Sequence, residues 1–223
     1  MKPIYLIATI TGLSLFSSAS YSLLSASSFY VEPTMNSQPQ QITSLRKDQS
    51  SLVIEVNQQD ETNWYATNDG VMGGRSTGQM SFEQDFGIFS GNISLANNGG
   101  FSSVYRRVNQ LEADTDAVVI DVEGDGNTYQ LRLALNINGY RIPYKQNFET
   151  RAGVRQQISL SLAQFRASYH GRIISDAPPV YPERIKEVGF LLANKKAGAF
   201  SLVVHKIVFA NNSVLETAAI EGR

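Results

Sequence analysis

The sequence predicts an all-β protein, a two-sheet sandwich or jelly roll, on three observations. Short stretches alternating apolar and polar residues recur along the 223-residue chain, separated by Gly, Asn, Asp or Pro. The cleanest runs over 129–137, where Tyr129, Leu131, Leu133, Leu135 and Ile137 alternate with Gln130, Arg132, Ala134 and Asn136. That period of two is the mark of a strand with one buried face. Beyond the N-terminal leader no window sustains a helical period, and 161–166 and 182–187 predict one helical turn each.

Taken in chain order, residues 1–20 read as a signal peptide. Lys2 precedes an apolar run over 4–16, and the small residues Ser17, Ser18, Ala19 and Ser20 follow. Thr9, Thr11, Gly12 and Ser14 dilute the run below what a membrane span needs. The expectation is therefore export, to a periplasm or outside the cell, with no stable membrane span once the leader is cleaved. Residues 21–50 are rich in Ser, Gln, Asn and Thr without periodicity, which predicts a flexible linker. A β-sandwich domain is expected over 51–212, with strands at 52–56, 78–82, 87–95, 101–106, 117–123, 129–137, 141–148, 156–162, 188–193 and 200–209. The tail 213–223 falls outside the fold, and its last four residues, Ile-Glu-Gly-Arg, have the form of a protease-cleavage tag.

Composition excludes several functions. Lys+Arg number 19 against Asp+Glu 20 with no block of like charge, so the footprint that selects nucleic acid or anionic membrane is missing. With no cysteine there is neither a disulfide, nor a thiolate metal site, nor a Cys nucleophile.

The densest motif is Trp64-Tyr-Ala-Thr-Asn-Asp-Gly-Val-Met-Gly-Gly-Arg-Ser76, in which Asn68-Asp69-Gly70 supplies turn chemistry and Gly73-Gly74 permits close backbone approach. It is joined by Phe89-Ser-Gly91, Asn97-Asn-Gly-Gly-Phe-Ser-Ser103, Gly124-Asp-Gly-Asn-Thr-Tyr129, Tyr144 with Phe148, Gly189-Phe190 and Gly198-Ala-Phe-Ser-Leu202. In this ordered set, from about residue 63 to 207, the chain resembles the complex I intermediate-associated protein 30 family. The resemblance implies a jelly-roll sandwich of the galactose-binding-domain-like kind, similar to family 11 carbohydrate-binding modules. It also implies a role in assembling membrane-arm intermediates of respiratory complex I, and it brings no catalytic residue. Arg155 stands where the family usually places Trp, and the leader points away from the compartments where that role is played.

Candidate binding residues are Trp64, Asp69, Met72, Arg75, Asn97, Asn98, Phe101 and Tyr144. An exposed Trp and Met beside an Arg is the composition of an interface hot spot. The competing reading is structural: Asp69 pairs with Arg75 across the loop, Trp64 plugs the sandwich end, and Asn97 to Gly100 make a hairpin turn. Asp121, Glu123, Asp125 and Asn127 alternate like a calcium loop, but Arg132 stands where its closing Glu belongs. His170 sits in a Tyr-His-Gly-Arg turn and His205 in a strand, without partners at catalytic or zinc spacing. Glu55, Asp69, Asp85 and Glu149 cannot be paired by spacing alone. The expectation is a non-enzymatic module without cofactor or metal that binds a protein partner, the alternatives being a carbohydrate-binding module that holds a glycan and a glycoside-acting enzyme.

Overall fold

The computed structural model describes residues 51–211. The signal peptide, the linker and the C-terminal tail expected from the sequence lie outside the described residues. Thirteen strands form the domain: β1 (Leu52–Glu55), β2 (Trp64–Asn68), β3 (Thr77–Phe82), β4 (Gly87–Ile93), β5 (Ser102–Arg107), β6 (Ala117–Glu123), β7 (Thr128–Ile137), β8 (Tyr140–Glu149), β9 (Arg155–Ser161), β10 (Arg166–Tyr169), β11 (Arg172–Ile173), β12 (Ile185–Leu192) and β13 (Gly198–Ala210). One sheet runs β3-β4-β13-β6-β9, with β1 also paired to β13, and the other runs β11-β10-β8-β7-β12-β5-β2. Every pairing between these strands is antiparallel, and strands adjacent in sequence repeatedly change sheet, which makes the sandwich a jelly roll.

The alternation read in β7 is the one observed. Tyr129, Leu131, Leu133 and Leu135 are buried between the sheets, opposite Phe148, Gln146, Tyr144 and Ile142 of β8. Burying each large apolar side chain contributes on the order of 1.5–3 kcal/mol. An aromatic cluster fills the middle, with Phe89 against Phe200 at 4.8 Å, Tyr129 against Phe148 at 6.0 Å and Phe148 against Phe190 at 6.1 Å between ring centroids. In β13 the inward residues are Phe200, Leu202 and Val204, then Ile207 and Phe209. A register shift between Val204 and Lys206 moves the buried set by one position and keeps both halves of this long strand facing the core.

Two sequence expectations need correction. Residues 64–68, read as part of a loop, form edge strand β2, which pairs only with β5, so its short and partly polar sequence carries little strand signal. Asn97 to Gly100 do not close a hairpin, because β4 and β5 belong to different sheets. The segment instead crosses between sheets through a 3-10 turn at Ala96–Asn98, with Asn97 and Asn98 left-handed at φ 56° and 58°. The single helical turns expected near 162 and 182 are present as 3-10 turns at Leu162–Gln164 and Pro182–Arg184.

Candidate functional site

The glycine-rich motif builds a clasp. Asp69 is fully buried and accepts hydrogen bonds from Ser76 N at 2.8 Å, Gly100 N at 2.6 Å, Phe101 N at 3.3 Å and the Ser76 hydroxyl. One carboxylate thus ties the 69–76 loop to the 97–101 crossover, and Asn97 adds a bond to the Gly73 carbonyl at 3.0 Å. A Cβ on Gly74 would lie 2.3 Å from the Asp69 carboxyl carbon, and one on Gly99 would lie 2.5 Å from its Oδ2, so only glycine lets both loops close on Asp69. Burial works against the charged form, yet the Ser76 hydroxyl and the three N–H donors outweigh it and hold Asp69 below the usual carboxylate range. The expected Asp69–Arg75 pair is not formed: backbone amides already satisfy the carboxylate, and Arg75 is exposed.

Trp64 takes the structural role. Its indole packs at 6.3 Å on Phe190, and Nε1 donates to Asp60 at 2.7 Å. Asp60 is also held by Arg106 at 2.8 Å. Tyr144 is a core residue whose hydroxyl donates to the Pro178 carbonyl at 2.7 Å, tying down the 173–180 segment.

The principal groove, about 700 Å3, lies across the outer face of the seven-stranded sheet. Strand alternation dictates its floor: the residues between the core positions point here, giving Tyr65 and Thr67 of β2, Ser103 and Tyr105 of β5, Gln130 and Arg132 of β7, and Lys145 of β8. Ser103, Arg132 and Ser168 are buried although they face away from the core, so the face is recessed. At one end Tyr65 and Tyr105 stack at 5.8 Å, and Arg141 lies 4.8 Å over the Tyr105 ring. Glu187 binds Arg141 at 2.6 Å and accepts the Tyr65 hydroxyl at 2.8 Å. Burial, then the hydrogen bond and charge of Glu187, push the Tyr65 hydroxyl up to about 12. At the other end Tyr169 and His170 project from the β10–β11 hairpin, their rings 4.1 Å apart.

Gly189 makes the tyrosine platform fit. A Cβ there would sit 2.1 Å from the Val104 carbonyl and 2.8 Å from the Tyr105 ring, so glycine lets Tyr105 lie down on the sheet.

Of the eight residues expected from the sequence, Met72, Asn98 and Phe101 line this groove, at its rim. Trp64, Asp69, Arg75, Asn97 and Tyr144 do not. Sequence reading missed Tyr65, Tyr105, Arg132, Arg141, Lys145 and Tyr169. The signal for Arg132 was in the β7 alternation, which put it on the non-core face. Asp121 is engaged by Arg155 at 2.8 Å, which accounts for Arg at that position, and Asp125 accepts from Asn127 and Ser201 backbone N–H groups. Among the described residues no three His, Asp or Glu side chains gather as a metal site, and no carboxylate lines the groove.

The fold is that of jelly-roll carbohydrate-binding modules, shared with a family 11 carbohydrate-binding module from Clostridium thermocellum solved with a β-1,3-1,4-mixed-linked tetrasaccharide. That structure is 14% identical, has a TM-score of 0.55, and matches 72% of this chain and 95% of its own. The family 11 module of the C. thermocellum cellulosomal cellulase Lic26A-Cel5E gives the same TM-score and identity over 73% and 95%. The sequence profile of complex I intermediate-associated protein 30 matches residues 54–204, and the chain belongs to that family. No curated protein sequence matches it.

Proposed function

We propose that this protein is a non-catalytic module that binds an extended glycan in the groove of the seven-stranded sheet. The observation that carries the reading is the exposed Tyr65 ring, stacked on the buried Tyr105, beside a row of polar donors. Tyr65, 41% exposed and backed by the buried Tyr105 ring, presents flat apolar area to the C–H face of a sugar ring, while neighbouring hydroxyl, amide and guanidinium groups meet sugar hydroxyls. The mixed-linked tetrasaccharide held by the family 11 module is consistent with such a use. The test is calorimetric titration with an oligosaccharide panel. Binding weakened at least tenfold by Tyr65→Ala, with unchanged circular dichroism, is expected; binding unaffected by it sinks the reading.

A second reading, a protein contact of the assembly-factor type, has its own support. Val71 is 74% exposed, Met72 53% and Leu95 46%, on the two loops that Asp69 clasps together. Such an apolar rim is the composition of a docking patch. Crosslinking in intact cells tests it: an envelope protein captured by the wild type and lost in Met72→Asp supports it, and identical capture by both refutes it. We further propose export, from the Lys2 and 4–16 pattern, and cell fractionation decides that.

A further inference from the structure

The groove carries positive charge that no carboxylate among the described residues balances. Arg132 and Lys145 face each other in register across β7 and β8, both on the groove floor. Arg132 is only 8% exposed, no carboxylate pairs with it, its Nη1 reaches just the neutral Gln130 Oε1 at 3.0 Å, and its Nε has no partner. Lys145 has one long contact, to the Gly171 carbonyl at 3.4 Å. The neighbouring Ser168 hydroxyl is fully buried and also without a partner. By contrast Arg141 is matched by Glu187, so the end with the tyrosines is neutral and the middle is not. Buried charge and buried donors are costly unless paired, and among the described residues neither cation has an acidic partner. Burial, then the charge of Arg132, hold Lys145 below the usual lysine range, as two cations forced together in a recess require.

Resting on the glycan reading above, we propose that the ligand is an acidic glycan, whose carboxylate or sulfate ester seats against Arg132 and Lys145 while an adjoining sugar ring lies on the exposed Tyr65 ring. Both anions carry oxygens that accept several charge-assisted hydrogen bonds at once, which a neutral sugar hydroxyl cannot do. The guanidinium supplies planar donors and the lysine a mobile point charge, so both trigonal and tetrahedral anions fit.

The experiment is calorimetric titration of the full chain with four probes of matched length: a polyuronate, a sulfated galactan, a neutral mixed-linked glucan and poly-glutamate. One acidic glycan is expected to bind at least about tenfold tighter than the glucan and to weaken about tenfold or more as NaCl rises from about 50 to about 500 mM, because added ions screen the pairing. Which acidic probe wins identifies carboxylate or sulfate as the source. Arg132→Gln and Lys145→Gln should each erase the preference for the acidic glycan, bringing its affinity and salt dependence down to those of the glucan on the same variant. If Arg132→Gln fails to fold, Lys145→Gln, at the less buried member of the pair, decides the same point alone. Glucan bound as tightly as both acidic glycans overturns the proposal and leaves the glycan reading standing. Poly-glutamate bound as tightly as the acidic glycans overturns it in favour of an acidic peptide. No glycan bound at all overturns both.

Discussion

Replacing Asp69 by Ala should open the clasp, and its cost can be worked from the contacts. The carboxylate accepts two short bonds from backbone N–H groups, Ser76 at 2.8 Å and Gly100 at 2.6 Å. Hydrogen bonds to a charged group contribute about 1.5–3 kcal/mol each. Taking the lower figure for both, because water can reach the half-buried Gly100 once the loops part, gives about 3 kcal/mol. Phe101 N at 3.3 Å adds little, and the Ser76 hydroxyl keeps Ser94 as a partner. For a domain of this size each kcal/mol moves Tm by roughly 2–4 °C, so the variant should melt roughly 10 °C lower by circular dichroism or calorimetry. Arg75→Ala, at an exposed side chain outside the clasp, should stay within about 0.5 kcal/mol of wild type. The pair of variants separates backbone clasping from a salt bridge: a fall in Arg75→Ala as large as in Asp69→Ala, or none in Asp69→Ala, refutes the reasoning.

Two further outcomes follow from the same packing and hydrogen bonds. Gly189→Ala should cost about 1–3 kcal/mol by overpacking against the Val104 carbonyl and should weaken groove binding by tilting Tyr105, whereas Gly70→Ala, with open space at its Cβ, should leave both melting and titration unchanged. Asp69 and Asp121 both titrate below the ordinary carboxylate value of 3.8, the first through Ser76 and the amides against the burial penalty, the second chiefly through Arg155. Their stabilisation is therefore present above that pH and lost as pH falls through the lower folded values. Melting temperature followed from neutral to acid pH should drop below about pH 4, and less steeply in Asp69→Asn, which has no charge there to lose.

The fold was legible because its evidence is local. A strand whose inner positions are Tyr129, Leu131, Leu133 and Leu135 announces its own buried face, and the outward Arg132 follows from the same period. Edge strand β2 was not legible, since a strand paired on one side can be built from Trp-Tyr-Ala-Thr-Asn, and half of its evidence is the partner β5. The groove failed for a related reason. Tyr65, Tyr105, Arg132 and Lys145 come from four separate strands, and only the strand order β8-β7-β12-β5-β2 brings them to one face. Periodicity says which way each points, not which others it will meet. The glycine-rich motif misled in the opposite direction: its density reflects how many backbone atoms must approach one carboxylate.

That contrast bears on what family membership conveys here. The residues that carry the likeness, Asp69, Gly74, Gly99, Gly100, Gly189 and Phe190, are the ones that close loops, clear space or fill the core of this chain. Of the side chains positioned to meet a ligand, Arg132 and Lys145 stand outside those motifs, and Tyr65 lies at the strand end of the first, before its glycines. A shared signature of this kind transmits the scaffold, and the scaffold leaves the outer face of the seven-stranded sheet free to differ. The assembly role implied by the family name and the sugar held by the structural neighbour are thus two uses of one frame. The choice between them in this protein turns on what neutralises Arg132 and Lys145, because two unbalanced cations on one recessed face select whichever partner brings the anion.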